Sequence, residues 1–404
     1  MEIKMKLIYQ NFDGLDMSFQ GAISQPILMQ LEQAKKEAQQ SRSEVYCELG
    51  EGKLPVMVSE SGMSGGYAYR FDTGIDGEVW AVSNSQKSDG WNIRVSAKSL
   101  NLALKGYHGV KEQIINTLKA LNATGESSLD PDTGKVINFP KERISRFDYC
   151  FDFLTYDSFE PDPKCIVAHA RSSRQFIGSH VAARGQLVES ARIGEMPNRQ
   201  VGIYNKSKEM VAHNKRYWID IWRGYRGAID KNTIDEAIAY STIDTPIGIG
   251  TVWRIEVRAG KGELDKWNCK RFDEFETIAG DIVVSILGAI KYVTPNEDTN
   301  TARWPIVGFW QTAIDAAKTD LSAYISGADR KRIIRDYREN IIKGYMERIS
   351  GNYIGCIAAM GRDLSELPAI MDQVQENIIA KVSQNPDLYY KKFGRVEERY
   401  SFIE

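Results

Sequence analysis

The sequence is short of the residues that metal-rich and secreted proteins depend on. Only four histidines occur in 404 residues (His108, His169, His180 and His213), and none stands in an HxH or HxxxH pair. That spacing excludes a histidine-rich zinc site and the histidine-paired nuclease motif. The five cysteines (Cys47, Cys150, Cys165, Cys269 and Cys356) lie far apart, are odd in number and form no CxxC. They read as reduced thiols of a cytoplasmic protein. The longest apolar run, near Ile282–Ile290, is far short of the ~20 residues that span a bilayer. The N-terminus, MEIKMKLIYQNFDG, has no apolar h-region and does not read as a secretory signal. Charge of one sign is also missing: 52 Lys+Arg stand against 54 Asp+Glu, a formal −2. A chain coated with basic residues is excluded, so any contact with nucleic acid has to use a local basic patch.

What is present supports a sizeable core. The chain is 42% hydrophobic and 26% charged, which excludes global disorder. At about 150 residues per domain, the length predicts two or three domains. Residues 24–41 read as an amphipathic helix, with Ile27, Leu28, Leu31 and Ala34 at helical spacing and Pro26 near the start. A β-rich stretch follows, in which Tyr67, Tyr69 and Phe71 alternate with polar or small residues, as do Trp91, Ile93 and Val95. Asp76-Gly77 and Asp89-Gly90 mark turns. Residues 110–122 read as a further helix. The polar segment TGESSLDPDTGKVINFPKE then reads as a boundary. A second α+β unit runs from Ile144 to about Gly260, with Ser241–Gly250 as a loop entering a strand at Val252. Beyond residue 271 the pattern is mostly helical, over 272–291, 305–326, 329–350 and 365–384. The order strands, helix, strands recurs. The expectation is an α+β fold: an antiparallel sheet core of two related halves with helices on one face, then a helical C-terminal region. The expected domains are 1–130, 131–270 (carrying the site) and 271–404 (a candidate DNA-recognition region).

Three segments carry the functional signal. In Arg146–Phe153, RFDYCFDF, side chains alternate with period two. Phe147, Tyr149, Phe151 and Phe153 fall on one side; Arg146, Asp148, Cys150 and Asp152 fall on the other. In Val201–Lys206, VGIYNK, Val201 and Ile203 share one side, and Tyr204 and Lys206 the other. In Trp253–Arg258, WRIEVR, the apolar Trp253, Ile255 and Val257 alternate with Arg254, Glu256 and Arg258. Paired in one antiparallel sheet, the three strands would gather Asp148, Asp152, Tyr204, Lys206, Arg254, Glu256 and Arg258 on one face. Charges on the wet face of a half-buried sheet need no function, and interleaved arginines would neutralise clustered acids. A hard divalent cation, Mg²⁺ or Mn²⁺, would do the same. Tyr204 is the candidate nucleophile. Its phenol, with an ordinary pKa near 10, needs a cation to stabilise the phenolate or a carboxylate to take the proton. Lys206 points to the same face, and Glu209 lies just past the strand end, where it could bond or position either.

The pieces RFDYCFDF, IYNKSKE and WRIEVRAGK, in that order, resemble the Rep_trans replication initiation factors over roughly Ile144–Gly260. That family includes initiators of small rolling-circle plasmids and some filamentous phages, and relaxases of certain conjugative elements. The YNKxxE element, matched by Tyr204, Asn205, Lys206 and Glu209, is the most specific part. The resemblance implies that Tyr204 attacks one phosphodiester at an origin, giving a 5′-phosphotyrosine and a free 3′-hydroxyl. It implies that Asp148 and Glu256, with Asp152 as a third, bind Mg²⁺ or Mn²⁺, and that Lys206 and Arg254 offset charge in the transition state. It also implies an α+β core, a homodimer, origin DNA as substrate and a host helicase as partner. A conjugative relaxase of the same chemistry, and a non-enzymatic DNA-binding regulator on the same fold, are the alternatives.

Two basic stretches are candidate DNA contacts. Residues 199–226 hold Arg199, Lys206, Lys208, Lys215, Arg216, Arg223 and Arg226 against Glu209 and Asp220, interleaved with Tyr217, Trp218, Trp222 and Tyr225. Cations with aromatic platforms suit single-stranded DNA, where stacking contributes ~1–3 kcal/mol per base. The other reading is an amphipathic helix with Trp218, Ile219 and Trp222 turned inward. A second stretch, Arg330, Lys331, Arg332, Arg335, Arg338 and Lys343, reads as a helix with a basic flank. Arg199, Lys208, Arg216, Trp222, Arg223, Arg254, Arg332 and Arg335 are the expected DNA-binding residues.

Overall fold

Two strands of fifteen residues each organise the molecule: β1 (Lys6–Gln20), near the start of the chain, and β9 (Lys141–Thr155), near its middle. They pair antiparallel at the centre of an eleven-stranded sheet. The computed structural model describes residues 4–87, 89–129, 136–168, 181–184, 187–224 and 250–401. Arg226, Tyr225 and most of the loop expected at Ser241–Gly250 lie outside them.

The chain forms two compact units, Met1–Ala328 and Asp329–Glu404. In the first, β1 is followed by helix α1 (Gln25–Ser41) and strands β2 (Val45–Leu49), β3 (Leu54–Val58), β4 (Tyr69–Asp72), β5 (Glu78–Val82) and β6 (Ile93–Ala97). Helix α2 (Ser99–Ala120) and a small hairpin, β7 (Ser128–Leu129) and β8 (Val136–Ile137), lead to β9. After the short β10 (Ile166–Ala168) come β11 (Val181–Arg184), β12 (Leu187–Glu195) and β13 (Arg199–Asn205). Two short helices follow, α3 (Lys206–Ala212) and α4 (Tyr217–Gly224), then β14 (Thr251–Gly260). The strand order is β11-β12-β13-β14-β9-β1-β6-β5-β4-β3-β2. Each half therefore opens with a long central strand, and its last strand returns beside it: β6 beside β1, β14 beside β9. The expected two α+β halves are present and share one sheet.

One face of the sheet is greasy because alternation makes it so. Phe147, Tyr149, Phe151 and Phe153 all enter a single core with Phe12, Leu15, Met17 and Phe19 of β1. That face is covered by α1, by α2, by α6 (Phe272–Ala289), which follows the short α5 (Lys261–Lys266), and by α7 (Gly308–Ala316). Phe275 of α6 packs its ring 4.9 Å from Phe147 and 5.5 Å from Phe12, both centroid to centroid. Because α6 buries Phe272, Phe275, Ile282, Val283 and Ile286 against the sheet, the units divide at Ala328/Asp329 rather than near residue 270.

The second unit is helical: α8 (Arg330–Ala359), α9 (Leu367–Gln384) and α10 (Pro386–Ser401). The Asp329 side chain caps α8 by accepting from the Lys331 amide. Within this unit Tyr400 donates to Tyr345 at 2.7 Å. Among the described residues no helix is long and apolar enough to cross a membrane.

Candidate functional site

The opposite face of the sheet is polar, and strand register decides which side chains meet there. β14 lies between β9 and β13, so RFDYCFDF and VGIYNK flank WRIEVR. Three rungs cross from β12 to β1. The first aligns Ser190, Tyr204, Arg254, Asp152 and Tyr9; the second Arg192, Gly202, Glu256, Cys150 and Asn11. The third aligns Gly194, Gln200, Arg258, Asp148 and Gly14. A bulge in β1 between Phe12 and Gly14 inserts Asp13 and reverses the phase of the strand. Before it Tyr9 and Asn11 face the polar side; after it Gly14 and Asp16 do. A side chain at Gly14 would press on Asp148, since a Cβ there would lie 3.3 Å from Asp148 Oδ2.

The sequence just after Tyr204 fixes how the strand ends. Asn205 caps α3 by accepting from the Lys208 amide at 2.9 Å, and Ser207 Oγ accepts from the Val252 amide at 2.9 Å. Lys206 is thus the first residue of a helix, not a strand position. Its ammonium is buried, 2.7 Å from Glu209 Oε2, 4.5 Å from the Trp218 ring centre and 5.8 Å from that of Tyr204. Lys215 reaches the other oxygen of Glu209 at 2.8 Å.

A cleft of about 500 Å³ opens beside Tyr204. Asp13, Asp148, Glu209 and Glu256 line it together with Arg192, Lys206, Lys208, Lys215 and Arg258, acids and cations interleaved. Ser99, Ser190 and His213 also line it. Arg146 grips both oxygens of Asp148, with Nε 2.8 Å from Oδ1. Arg258 donates to Glu256 at 2.6 Å.

The ionisable groups respond to this crowding. Burial pushes Asp148 up to about 6; Glu256 adds to the rise and the Arg146 bond opposes it. Burial also works to raise Glu209, but Lys206 and Lys215 outweigh it and hold the carboxyl at about 2. The two acids therefore act oppositely on stability. The contribution of Glu209 is present above its ordinary value and is lost as pH falls toward 2; that of Asp148 is present below its ordinary value and is lost as pH rises through about 6. Burial, with Arg254 adding to it, lowers Lys206. Tyr204 is half-buried, and desolvation raises its phenol well above the ordinary value, with Arg254 opposing and Glu256 adding.

Several expected roles change. Arg254 is 0% exposed, so it cannot reach DNA in this fold. Its guanidinium is spent inside: Nε lies 2.6 Å from Asp152 Oδ1, NH2 2.8 Å from Oδ2 and NH1 2.7 Å from Asp13 Oδ1. Trp222 is buried as well, and its indole donates to Asp152 Oδ2 at 2.8 Å, so it offers no platform to a base. Helix α4 roofs part of the polar face, with Trp218 stacked on Arg254 at 4.2 Å. The inward-turned helix is the reading the structure adopts for Trp218 and Trp222, with Ile221 rather than Ile219 as the buried isoleucine. Arg199 sits on the other face, with Val201 and Ile203, 3.8 Å from Glu263. Arg216 and Arg223 are half-buried and do not line the cleft, whereas Lys208 does. Arg332 and Arg335, both exposed on α8, lie 3.9 and 3.6 Å from Asp336.

The donor set does not suit the expected divalent ion. Asp152 gives both oxygens to Arg254 and Trp222, Asp148 is held by Arg146, and Glu256 by Arg258. Among the described residues no three of His, Cys, Asp and Glu gather as a metal site.

Sequence reasoning missed Asp13, Ser99, Ser190, Arg192 and His213. Arg192, alternating with Ala191 and Ile193, carried a readable signal. Asp13 carried none, because a bulge places it beside Arg254, 241 residues away.

No family model matches the chain, and no curated protein does. Among solved structures it is similar to the rolling circle replication initiator protein from Geobacillus stearothermophilus, over 78% of this chain and 97% of that one. The identity is 13% and the TM-score 0.39, a level of likeness that bears on no residue's role.

Proposed function

We propose that this protein nicks and rejoins DNA through Tyr204, initiating rolling-circle replication of a plasmid or phage in the cytoplasm. The observation that supports this most is the placement of Tyr204 at a cleft lined by both carboxylates and cations. A phosphodiester needs both: cations for its charge and a proton acceptor for the phenol. A volume near 500 Å³ is of the size that takes a small polar group.

The chemistry follows from these side chains. The Tyr204 phenol is protonated at rest, so its proton has to leave as the oxygen attacks phosphorus. Glu256, diagonal to Tyr204 across the β13–β14 pair and the carboxylate that acts most on its phenol, takes it. The Tyr204 O–P bond forms, the P–O3′ bond breaks, and the leaving 3′-oxygen takes a proton from Lys206, whose lowered pKa suits a donor. The products are a 5′-phosphotyrosine and a 3′-hydroxyl, and reversal rejoins a strand. Arg192 and Lys208 face the phosphate charge.

The decisive experiment traps the adduct. The protein is mixed with supercoiled and single-stranded DNA of its own replicon, and the covalent product is digested and sequenced by mass spectrometry. The expected result is one nucleotide-bearing peptide, modified at Tyr204. Cleavage with no adduct, or an adduct on another residue, overturns the proposal.

A carboxylate substitution supplies a second check. If Glu256 accepts the proton, Glu256→Gln should lower the single-turnover cleavage rate by about 10²-fold or more, the range for a positioned general base. Cleavage by Glu256→Gln within about threefold of the wild type would assign the base elsewhere.

A further inference from the structure

We propose that Arg258 is the resident cation of the Asp148–Glu256 pair and keeps this pair closed to divalent metal ions. The inference concerns the same cleft as the nicking reading but stands on ion-pair geometry. Arg258 is the direct cross-strand partner of Asp148, and its Nε lies 2.6 Å from Glu256 Oε1 and 3.9 Å from Asp148 Oδ2. Its NH1 donates to Gln200 Oε1 at 3.2 Å, which fixes the plane of the fork. Arg146 holds Asp148 from its other side. The acid side chains are only 10% and 5% exposed, so neither can swing out to meet an ion in solvent.

A divalent ion entering here would face two costs. It would have to displace a guanidinium that cannot lose its proton and would be left partly buried without a carboxylate partner. It would stand beside the positive charges of Arg258 and Arg146. Mg²⁺ and Mn²⁺ prefer oxygen ligands free to complete a coordination shell. A tethered cation already neutralises the pair, and removing it should uncover a site.

The test reads metal binding rather than DNA cleavage, so it and the nicking proposal can fail separately. Mn²⁺ binding to the full chain is measured by electron paramagnetic resonance for the wild type, Arg258→Ala, Arg258→Gln, and Arg258→Ala combined with Glu256→Gln. The expected result is one Mn²⁺ bound at least tenfold more tightly by Arg258→Ala than by the wild type. Glu256→Gln should then remove the gain. Arg258→Gln, which keeps an amide donor in place, carries the test if the alanine variant fails to fold. A wild type that binds one Mn²⁺ as tightly as the variants overturns the proposal, as does the absence of any gain on removing Arg258.

Discussion

Arg254→Ala should cost the first unit about 3–5 kcal/mol of stability, the range for breaking a buried ion pair by removing one partner. Arg254 is fully buried and its guanidinium satisfies two carboxylates, Asp152 through two bonds and Asp13 through one. Asp152 is 0% exposed, so truncating the arginine strands its charge where water cannot reach. Truncation also removes the cation over the Trp218 ring and leaves a cavity beneath α4. Arg254→Lys should recover little, because a single ammonium cannot bridge Asp152 and Asp13 with a planar fork. Urea unfolding followed by tryptophan fluorescence measures the loss, and the native spectrum should shift to the red as Trp218 and Trp222 gain water. A loss below about 1 kcal/mol would mean that the network is solvated and does not hold the roof of the site.

That network shows where sequence reasoning succeeds and where it stops. The greasy face of RFDYCFDF was legible because a regular strand alternates and its aromatic residues have only the core to enter. The shared polar face of Asp148, Glu256, Arg258 and Tyr204 was legible for the same reason. The roof was not. Trp222 and Arg254 look like a stacking platform and a phosphate ligand until the fold brings Asp152 between them. A charged side chain in a strand reads the same whether a helix covers that face or water does, and the covering helix is set by tertiary contacts. Asp13 was hidden for a different reason: its position depends on a bulge, and a one-residue insertion leaves no trace in the period of the residues around it. Lys206 was misplaced by one element boundary, because Asn205 ends the strand and caps the helix in a single step.

Tyr204→Phe should lower covalent DNA cleavage by at least about 10³-fold, the order expected when a nucleophile is removed from a site whose other groups remain. It should do so without disturbing the fold. Among the described residues no side chain or backbone group bonds the Tyr204 hydroxyl, so its removal strands no partner among them. The ring stays, and with it the contact to the Lys206 ammonium at 5.8 Å. Binding of replicon DNA should remain within about twofold, because the cations facing the cleft are untouched and they set the salt-dependent part of affinity. The variant therefore separates chemistry from binding. Filter binding and a denaturing gel on the same samples give both readouts. If Tyr204→Phe cleaves within tenfold of the wild type, the nucleophile lies elsewhere. If the wild type binds this DNA and never cuts it, whatever the divalent ion supplied, the cleft is a phosphate-binding surface and the protein is a regulator on this fold. Loss of cleavage with binding intact assigns the reaction to the phenol, since the two proteins would then differ by one oxygen atom.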